Sequence, residues 1–225
     1  MLIDVGNTST KIGLAIGNEI VSTYVLPTTL KETSDTFGFK IFALTRHLKV
    51  QISEIDLWMV SSVVPPLNGI IREAGNKYSL CDVVFVPEDL SLPLINRYAN
   101  PYEVGSDRLV TAFAARELFS TPGLIVIDFG TATTLECVQD NIYLGGLICP
   151  GILSSLQALS QKTAKLPKIS LDVEDGKMLI GNSTVTSMTH GFIFGFAAMV
   201  DGLCMELRNF FIRGDNYCCN WRICS

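Results

Sequence analysis

The sequence has little of what marks a metalloprotein, a disulfide scaffold or a nucleic-acid binder. It holds two histidines, His47 and His190, far apart, and its seven cysteines (Cys81, Cys137, Cys149, Cys204, Cys218, Cys219 and Cys224) form an odd number with no Cys-x-x-Cys pair. Such spacing supports neither a zinc site nor a set of bridges. Lys and Arg number 17 against 22 Asp and Glu, for a formal charge of −5. No cluster of basic residues suggests a nucleic-acid footprint or an anionic-membrane patch. The start is not expected to be a secretory leader, since Asp4 breaks any apolar run at once. The longest apolar region, Phe192 to Val200, closes at Asp201 and is expected to be far short of a membrane span. The expectation is a cytoplasmic protein with neither membrane nor nucleic acid as partner, recognising any anion through a few placed groups.

What is present is enough apolar residue, 48% of 225, for one large or two modest domains with cores of their own. The first eleven residues carry the most information. Leu2 and Ile3 run into Asp4, then Gly6, then the hydroxyls Thr8, Ser9 and Thr10 before Lys11, which reads as a buried strand ending in a tight polar turn. Glycine lets backbone approach a ligand closely, and successive N–H groups in such a turn make an anion-binding concavity. Asp4 would repel a phosphate unless a hydrated cation lies between, and Mg²⁺ takes one or two carboxylates together with phosphate oxygens. Alone, Asp-x-Gly after an apolar run is equally an ordinary hairpin turn.

A second copy changes the balance. Gly123-Leu-Ile-Val-Ile-Asp128-Phe-Gly130-Thr-Ala-Thr-Thr134 repeats the order of apolar strand, Asp, apolar residue, Gly and hydroxyl-rich turn. With Asp4 laid on Asp128, Gly6 falls on Gly130, Ser9 and Thr10 fall on Thr133 and Thr134, and the turn Gly17-Asn18 falls within one residue of the turn Asp140-Asn141. Internal duplication decides architecture. The expected fold class is α/β, in two similar halves facing a central cleft, residues 1–120 and 121–225, with the junction at Thr121-Pro122-Gly123.

Between the copies, Lys11 to Ile16 and Ile20 to Leu26 read as a hairpin. Thr33-Ser34-Asp35 offers an N-cap for a helix to about Val50, with Phe39, Phe42, Ala43 and Leu44 as its apolar face and Phe37 and Phe39 as core. Ile55 to Val64 reads as a strand covered on both faces, Pro65-Pro66 opens a helix, and Asp82 to Val86 is a further strand. Leu90 to Gly105, with Pro93 and Pro101, reads as a loop crossing the cleft. Gly105-Ser106-Asp107-Arg108 opens a helix to Phe119. Later come strands at Thr134 to Val138 and Ile142 to Ile148, the latter with Gly145-Gly146 implying close approach of a ligand or backbone. A helix from Ile152, an irregular segment from Lys162 to Gly176 and a long apolar stretch from Val185 to Phe211 follow. Gly191 and Gly195 lie one turn apart in that stretch and permit close helix packing. Cys137, Cys149 and Cys204 read as ordinary buried thiols.

In this order the motifs Asp4 to Lys11, Gly105 to Arg108, Asp128 to Thr134, Gly145 to Gly151 and Gly181 to Asp201 resemble those of the type III pantothenate kinases, within the actin, Hsp70 and sugar-kinase superfamily. The resemblance implies two ribonuclease-H-like α/β domains of the actin-like ATPase fold. It also implies transfer of the γ-phosphoryl group of ATP to the primary hydroxyl of pantothenate, the entry step to coenzyme A. On that footing Asp4, Val5, Gly6, Asn7, Thr8, Ser9, Thr10 and Lys11 cradle ATP phosphates, Asp4 also lying near Mg²⁺. Asp107 is the general base, and Gly105, Ser106, Asp107 and Arg108 line the pantothenate site. Asp128 matches the position of an activating monovalent cation, K⁺ or NH4⁺, and Thr131 one that contacts ATP. Tyr98 and Thr184 match substrate-contacting positions, Thr184 reaching across a homodimer interface. Chemistry read from the residues agrees, because phosphoryl transfer asks mainly for positioning and charge neutralisation with one carboxylate on the nucleophile.

Two departures stand out. Ser106 replaces a small apolar residue usual in the family. Beyond Phe211 the family continues with an apolar strand, a Thr-Gly-Gly turn at the nucleotide and a last helix, whereas this chain reads Gly214-Asp-Asn-Tyr-Cys-Cys-Asn-Trp-Arg-Ile-Cys-Ser225 with no period of either kind. Read one base later with allowed codons, that tail can yield Ile-Ile-Ile-Val-Ala-Thr-Gly-Gly-Phe-Ala, so a shifted frame is expected there. The rival readings are a non-catalytic regulatory or accessory relative, and a kinase of the same superfamily acting on a sugar or another small alcohol.

Overall fold

Ile3 and Val5, alternate residues of β1 (Leu2–Val5), are almost wholly buried. Their burial fixes the strand's register, since a slip of one residue would turn the whole apolar set outward. In this computed structural model, which describes residues 1–162, 167, 169–171, 180–213 and 221–224, β1 is the centre of a five-stranded sheet. It pairs antiparallel with β2 (Ser9–Ile16) and parallel with β4 (Leu57–Ser62). With β3 (Glu19–Pro27) and β5 (Asp82–Phe85) the strand order is β3-β2-β1-β4-β5. Two helices, α1 (Ser34–His47) and α2 (Pro65–Tyr78), contribute Phe37, Ile41, Leu67 and Ile71 to a core shared with Trp58, Val60 and Phe85. Trp58 is wholly buried, and its indole N–H is satisfied by Ser79 Oγ at 3.0 Å.

Local chemistry explains where these helices begin. Thr33 caps α1 by accepting from the Thr36 amide at 3.1 Å, while Thr36 Oγ1 accepts from the Thr33 amide at 2.9 Å, a reciprocal box. Pro65 and Pro66 occupy the first turn of α2, where missing N–H groups cost nothing. The apolar face expected for α1 is wrong in phase at Phe39, Phe42 and Ala43, which are exposed, while Leu44 packs against the core and Phe37 lies in it as expected. Phe37, Gly38, Ile41 and Thr45 face the core, whereas Phe39 is 62% exposed and meets only the edge of Tyr78. Gly38 sets that phase: a Cβ there would lie 2.2 Å from the Tyr78 ring, so α1 and α2 meet at a glycine rather than at the bulkier Phe39.

The chain divides into two compact units, Met1–Leu94 with Tyr98–Ala114, and Ile95–Arg97 with Ala115–Ser225. The second has a sheet of order β10-β7-β8-β9-β6, from β7 (Gly123–Phe129), β8 (Ala132–Gln139), β9 (Ile142–Pro150), β10 (Trp221–Cys224) and β6 (Ile95–Asn96). Thus the segment read as a featureless loop holds a two-residue strand parallel to β9, invisible to periodicity because its partner defines it. In the tail, Trp221–Cys224 pairs in parallel with β7, as β4 does with β1. Main-chain pairing needs no side-chain alternation, and the expectation of a tail without a strand fails for that reason. Residues 214–220 and 225, on which the shifted-frame reading also rests, lie outside the described residues, as does most of the segment from Lys162 to Gly176.

The duplication is visible in register. In the first unit the β2–β3 pairing skips Val21 between Leu14 and Ala15, and in the second the β8–β9 pairing skips Leu144 between Cys137 and Val138. Equivalent bulges on equivalent hairpins make the two halves copies in backbone detail. They also correct the sequence alignment. The first turn is closed by Gly6 N–H to Ser9 O and the second by Gly130 N–H to Ala132 O, each at 3.0 Å, so the second is one residue shorter. Thr10 therefore corresponds to Thr133, opposite Phe129, and Lys11 corresponds to Thr134, opposite Asp128. Past that deletion, Gly17 and Asp140 match as positive-φ turn residues.

Two helices follow β9: α4 (Ile152–Lys162) and α5 (Thr184–Arg213). Val200 and Cys204 of α5 pack on Ile125, Ile127 and Leu135. The helix runs through Asp201 without interruption, so Thr184–Asn209 is by length and composition apolar enough to cross a membrane, with mean hydropathy 1.3, contrary to the expectation that it is far too short. Cys137 and Cys204 are buried, Cys149 partly so. Burial pushes the Cys204 thiol up, aided by Asp201. Gly146 is a close approach of backbone rather than ligand, its missing Cβ leaving room for Leu135 O and the buried Glu136 carboxylate.

Two glycines test this packing. Gly38→Ala is expected to destabilise the protein by about 1–3 kcal/mol through overpacking against Tyr78. Gly69→Ala, in exposed α2 where a Cβ meets nothing within 4 Å, should stabilise by about 0.4–1 kcal/mol. Urea titration of both variants decides; equal effects would mean that the α1–α2 contact is not as described.

Candidate active site

β1 delivers Asp4 to the open face of the first sheet because its neighbours Ile3 and Val5 turn inward. The Asp4 carboxylate is 43% exposed and lies 3.5 Å from Lys11 Nζ, its cross-strand neighbour on β2. An exposed pair at that distance contributes little stability but sets two opposite charges beside the turn. Val5 has its side chain wholly in the core, so only its backbone can serve a ligand. Asn7 and Thr8 form the exposed tip. Thr10 is buried, and its hydroxyl shares a 2.9 Å hydrogen bond with that of Thr28, just past β3.

A second set of contacts brings the Gly105 to Arg108 segment to the same strand ends. In parallel register, Asp4 lies beside Ser61 and Val5 beside Ser62 of β4. Ser106, first residue of α3 (Ser106–Leu118), is buried against those serines. Its hydroxyl donates to Ser62 O at 2.9 Å, accepts from Ser62 N–H at 3.0 Å and lies 3.1 Å from Ser61 Oγ. Three contacts from one side chain fix the start of α3 to the end of β4, next to the strand that carries Asp4. Serine at this position thus has a physical role where a small apolar residue would have none of these bonds.

Asp107 follows at once, exposed, with Oδ1 accepting from the Arg108 amide at 2.7 Å. Gly105 makes room for it: a Cβ there would stand 2.5 Å from that oxygen and 3.2 Å from Val63. Arg108 is buried, with its guanidinium carbon 5.9 Å from the Tyr98 ring centroid, in reach of a cation–π contact. Within the first unit the structure therefore gathers Asp4, its turn, Ser106 and Asp107 along one end of the sheet, and sets Arg108 against Tyr98.

The second unit carries Asp128, exposed at the end of β7 and 3.4 Å from where a Gly130 Cβ would be. Its turn is buttressed from the start of α4. Ser154 Oγ donates to Thr131 O at 2.7 Å, and a Cβ on Gly151 would lie 2.2 Å from Thr131 O and 2.6 Å from Gly130 O. Thr184 begins α5 just after Ser183, whose hydroxyl caps the helix by accepting from the Thr186 amide at 3.2 Å. It lines a 940 Å³ groove with Leu159, Met188, Phe192 and Met199. Among the described residues no three His, Cys, Asp or Glu side chains cluster as a metal cage.

Sequence reasoning missed Thr28, Ser61, Ser62 and Ser154, and included Gly151 in a motif without the role it has against the second turn. For Thr28 a signal existed: Pro27-Thr28 ends the first copy where Pro150-Gly151 ends the second. For the serines of β4 none did, since their value comes from a helix that starts 44 residues later.

The sequence profile of the type III pantothenate kinases matches residues 1–206. A type III pantothenate kinase of Nitratidesulfovibrio vulgaris is 50% identical over 208 residues, 92% of this chain and 79% of that protein. Those of Lawsonia intracellularis and Myxococcus xanthus are 45% and 37% identical, covering 93% and 92% of this chain and 79% and 80% of the relatives. Among solved structures, a Campylobacter jejuni protein described as of the Baf family of transcriptional activators superposes with a TM-score of 0.52 at 17% identity, covering 90% of this chain and 78% of that one. At that identity the likeness speaks to fold alone.

The second turn offers its own test. Gly151→Ala is expected to push the Gly130 and Thr131 carbonyls and to cost about 1–3 kcal/mol. Amide resonances of Gly130 to Ala132 should shift while those of Gly6 to Ser9 stay; an unperturbed spectrum would refute the close approach.

Proposed function

This chain belongs to the type III pantothenate kinase family, and we infer that it transfers the γ-phosphoryl group of ATP to the primary hydroxyl of pantothenate, the first step of coenzyme A biosynthesis. The observation that carries the assignment of roles is the Ser106 contact set, which ties Asp107 to the strand beside Asp4. Asp107 takes the hydroxyl proton as the pantothenate oxygen bonds to the γ-phosphorus and the bond to the ADP oxygen breaks. Its exposed carboxylate, oriented by the Arg108 amide, suits that task better than Asp4, which sits against Lys11.

The turn from Asp4 to Lys11 cradles ATP phosphates through backbone N–H groups, and Lys11 adds a positive charge. Arg108, with Gly105, Ser106 and Tyr98, lines the pantothenate site, where a guanidinium is suited to a carboxylate. Asp4 fits Mg²⁺ as a half-exposed carboxylate beside a phosphate turn, the donor set that ion prefers. When bound, the ion neutralises charge on the transferring phosphate. Asp128, an exposed carboxylate of the second copy, takes the monovalent cation, K⁺ or NH4⁺, and Thr131 contacts ATP.

The enzyme works as a cytoplasmic homodimer joined along α5. Among the described residues nothing lies within 4 Å of a Cβ built on Gly191, Gly195 or Gly202, and small residues so spaced let helix backbones approach closely. A second copy covers this face, and Thr184 at its edge then reaches the partner's pantothenate.

Asp107→Asn should lower kcat at least 100-fold in a labelled-pantothenate assay with ATP, Mg²⁺ and K⁺, with ATP binding retained. Near-normal turnover would remove Asp107 from the base role. ATP binding without phosphopantothenate formation by the wild type would favour the non-catalytic relative. Light scattering should find a dimer, and Gly195→Leu should yield monomer; a wild-type monomer, or an unaffected dimer in the variant, would contradict the α5 interface.

A further inference from the structure

The two turns are copies, yet they are held from beneath in different ways. Thr28 and Gly151 occupy the same place after equivalent strands, each following the proline that pairs with Ser9 or Ala132. In the first unit Thr28 makes three contacts with the turn. Its hydroxyl donates to Gly6 O at 2.7 Å and lies 2.9 Å from the buried Thr10 hydroxyl, and its amide donates to Thr8 O at 3.1 Å. In the second unit Gly151 has no side chain to do this. Thr133, the counterpart of Thr10, is wholly buried, and its hydroxyl has no hydrogen-bond partner among the described residues.

Peptide planarity gives the Thr28 contacts a directional consequence. In a trans peptide unit the C=O and the following N–H point in opposite directions. With Gly6 O tied back to the Thr28 hydroxyl, the N–H of Asn7 is directed to the opposite side. With Thr8 O tied to the Thr28 amide, the N–H of Ser9 is directed away from Thr28 as well. A carbonyl so engaged cannot swing toward an anion, and repulsion from a free carbonyl would offset what neighbouring N–H groups gain.

We propose that Thr28 is a positioning residue for nucleotide binding: its hydroxyl holds the Gly6 carbonyl beneath the first turn and so aims the Asn7 amide at the phosphates, while its backbone amide holds the Thr8 carbonyl back from them. The inference rests on the reading of that turn as the ATP-phosphate site, and adds to it which amide is aimed and what aims it. It assigns no such device to the second turn, where glycine replaces the threonine. Thr28 itself touches neither phosphate nor pantothenate.

The test compares Thr28→Val, which keeps the shape and removes the hydroxyl, with Thr28→Ser, which keeps the hydroxyl. ADP affinity is measured by calorimetry and both KM values by kinetics. Thr28→Val should weaken ADP binding and raise the KM for ATP about tenfold, the usual scale for stranding a buried acceptor. The KM for pantothenate should stay unchanged, and Thr28→Ser should restore nucleotide affinity. If Thr28→Val does not fold, Thr28→Ala carries the same expectation. Wild-type ADP affinity in the valine or alanine variant overturns the proposal, as does equal loss for both substrates, which would indicate a merely structural role. Gly6→Val, whose side chain would crowd Ser9 O at the turn itself, separates the two readings. If it abolishes ADP binding while Thr28→Val does not, the phosphate turn stands and only the positioning role fails. If it leaves ADP binding intact, the turn is not the phosphate site and both readings fall.

Discussion

The pairing of β1 between β2 and β4 is the constraint on which the first unit depends. Two buried side chains, Ile3 and Val5, hold the strand in place, and a four-residue strand cannot shift without exposing both. Asp4 between them must therefore face outward beside Lys11. The parallel partner β4 then carries its own end to the same level, where Ser61 and Ser62 receive Ser106. A carboxylate on a strand and a carboxylate on a helix, 103 positions apart in name only, are brought to one edge by a hydroxyl that touches neither.

Duplication supplied the scaffold twice, and the copies differ where function would require it. The bulges at Val21 and Leu144 and the turns at Gly17 and Asp140 agree. The loops after Asp4 and Asp128 do not: one is longer and tied down by Thr28, and the other is shorter and pressed against Gly151 and Ser154. Removing one residue moves the Gly130 and Thr131 carbonyls into the space a Thr28-like side chain would need. That accounts for both the glycine and the stranded Thr133 hydroxyl. Lys11 becomes Thr134 in the copy, so the β8 residue opposite Asp128 is a neutral hydroxyl where Asp4 has a cation.

The long helix α5 shows how composition alone misleads in both directions. Read as a run of apolar letters it stops at Asp201, and read as a helix it continues beyond. One face packs on the second sheet through Val200 and Cys204, while among the described residues nothing lies within 4 Å of a Cβ built on Gly191, Gly195 or Gly202. The glycine spacing permits close approach of another helix backbone on that side.

The repeat of Asp, Gly and hydroxyls was legible because it is local: a strand's end and its turn are written in consecutive residues. So were the threonine cap of α1 and the prolines opening α2. The sequence by itself determined the family and the duplication of the Asp-Gly-hydroxyl motif. Tertiary structure alone decided the phase of α1, the strands β6 and β10, the true alignment of Thr10 with Thr133, and the contacts of Ser106 and Thr28. Each of these depends on a partner distant in the chain, whether a ring over Gly38, a neighbouring strand edge or a carbonyl left to be bonded. Nothing in the residues nearby encodes a contact whose other half arrives from elsewhere.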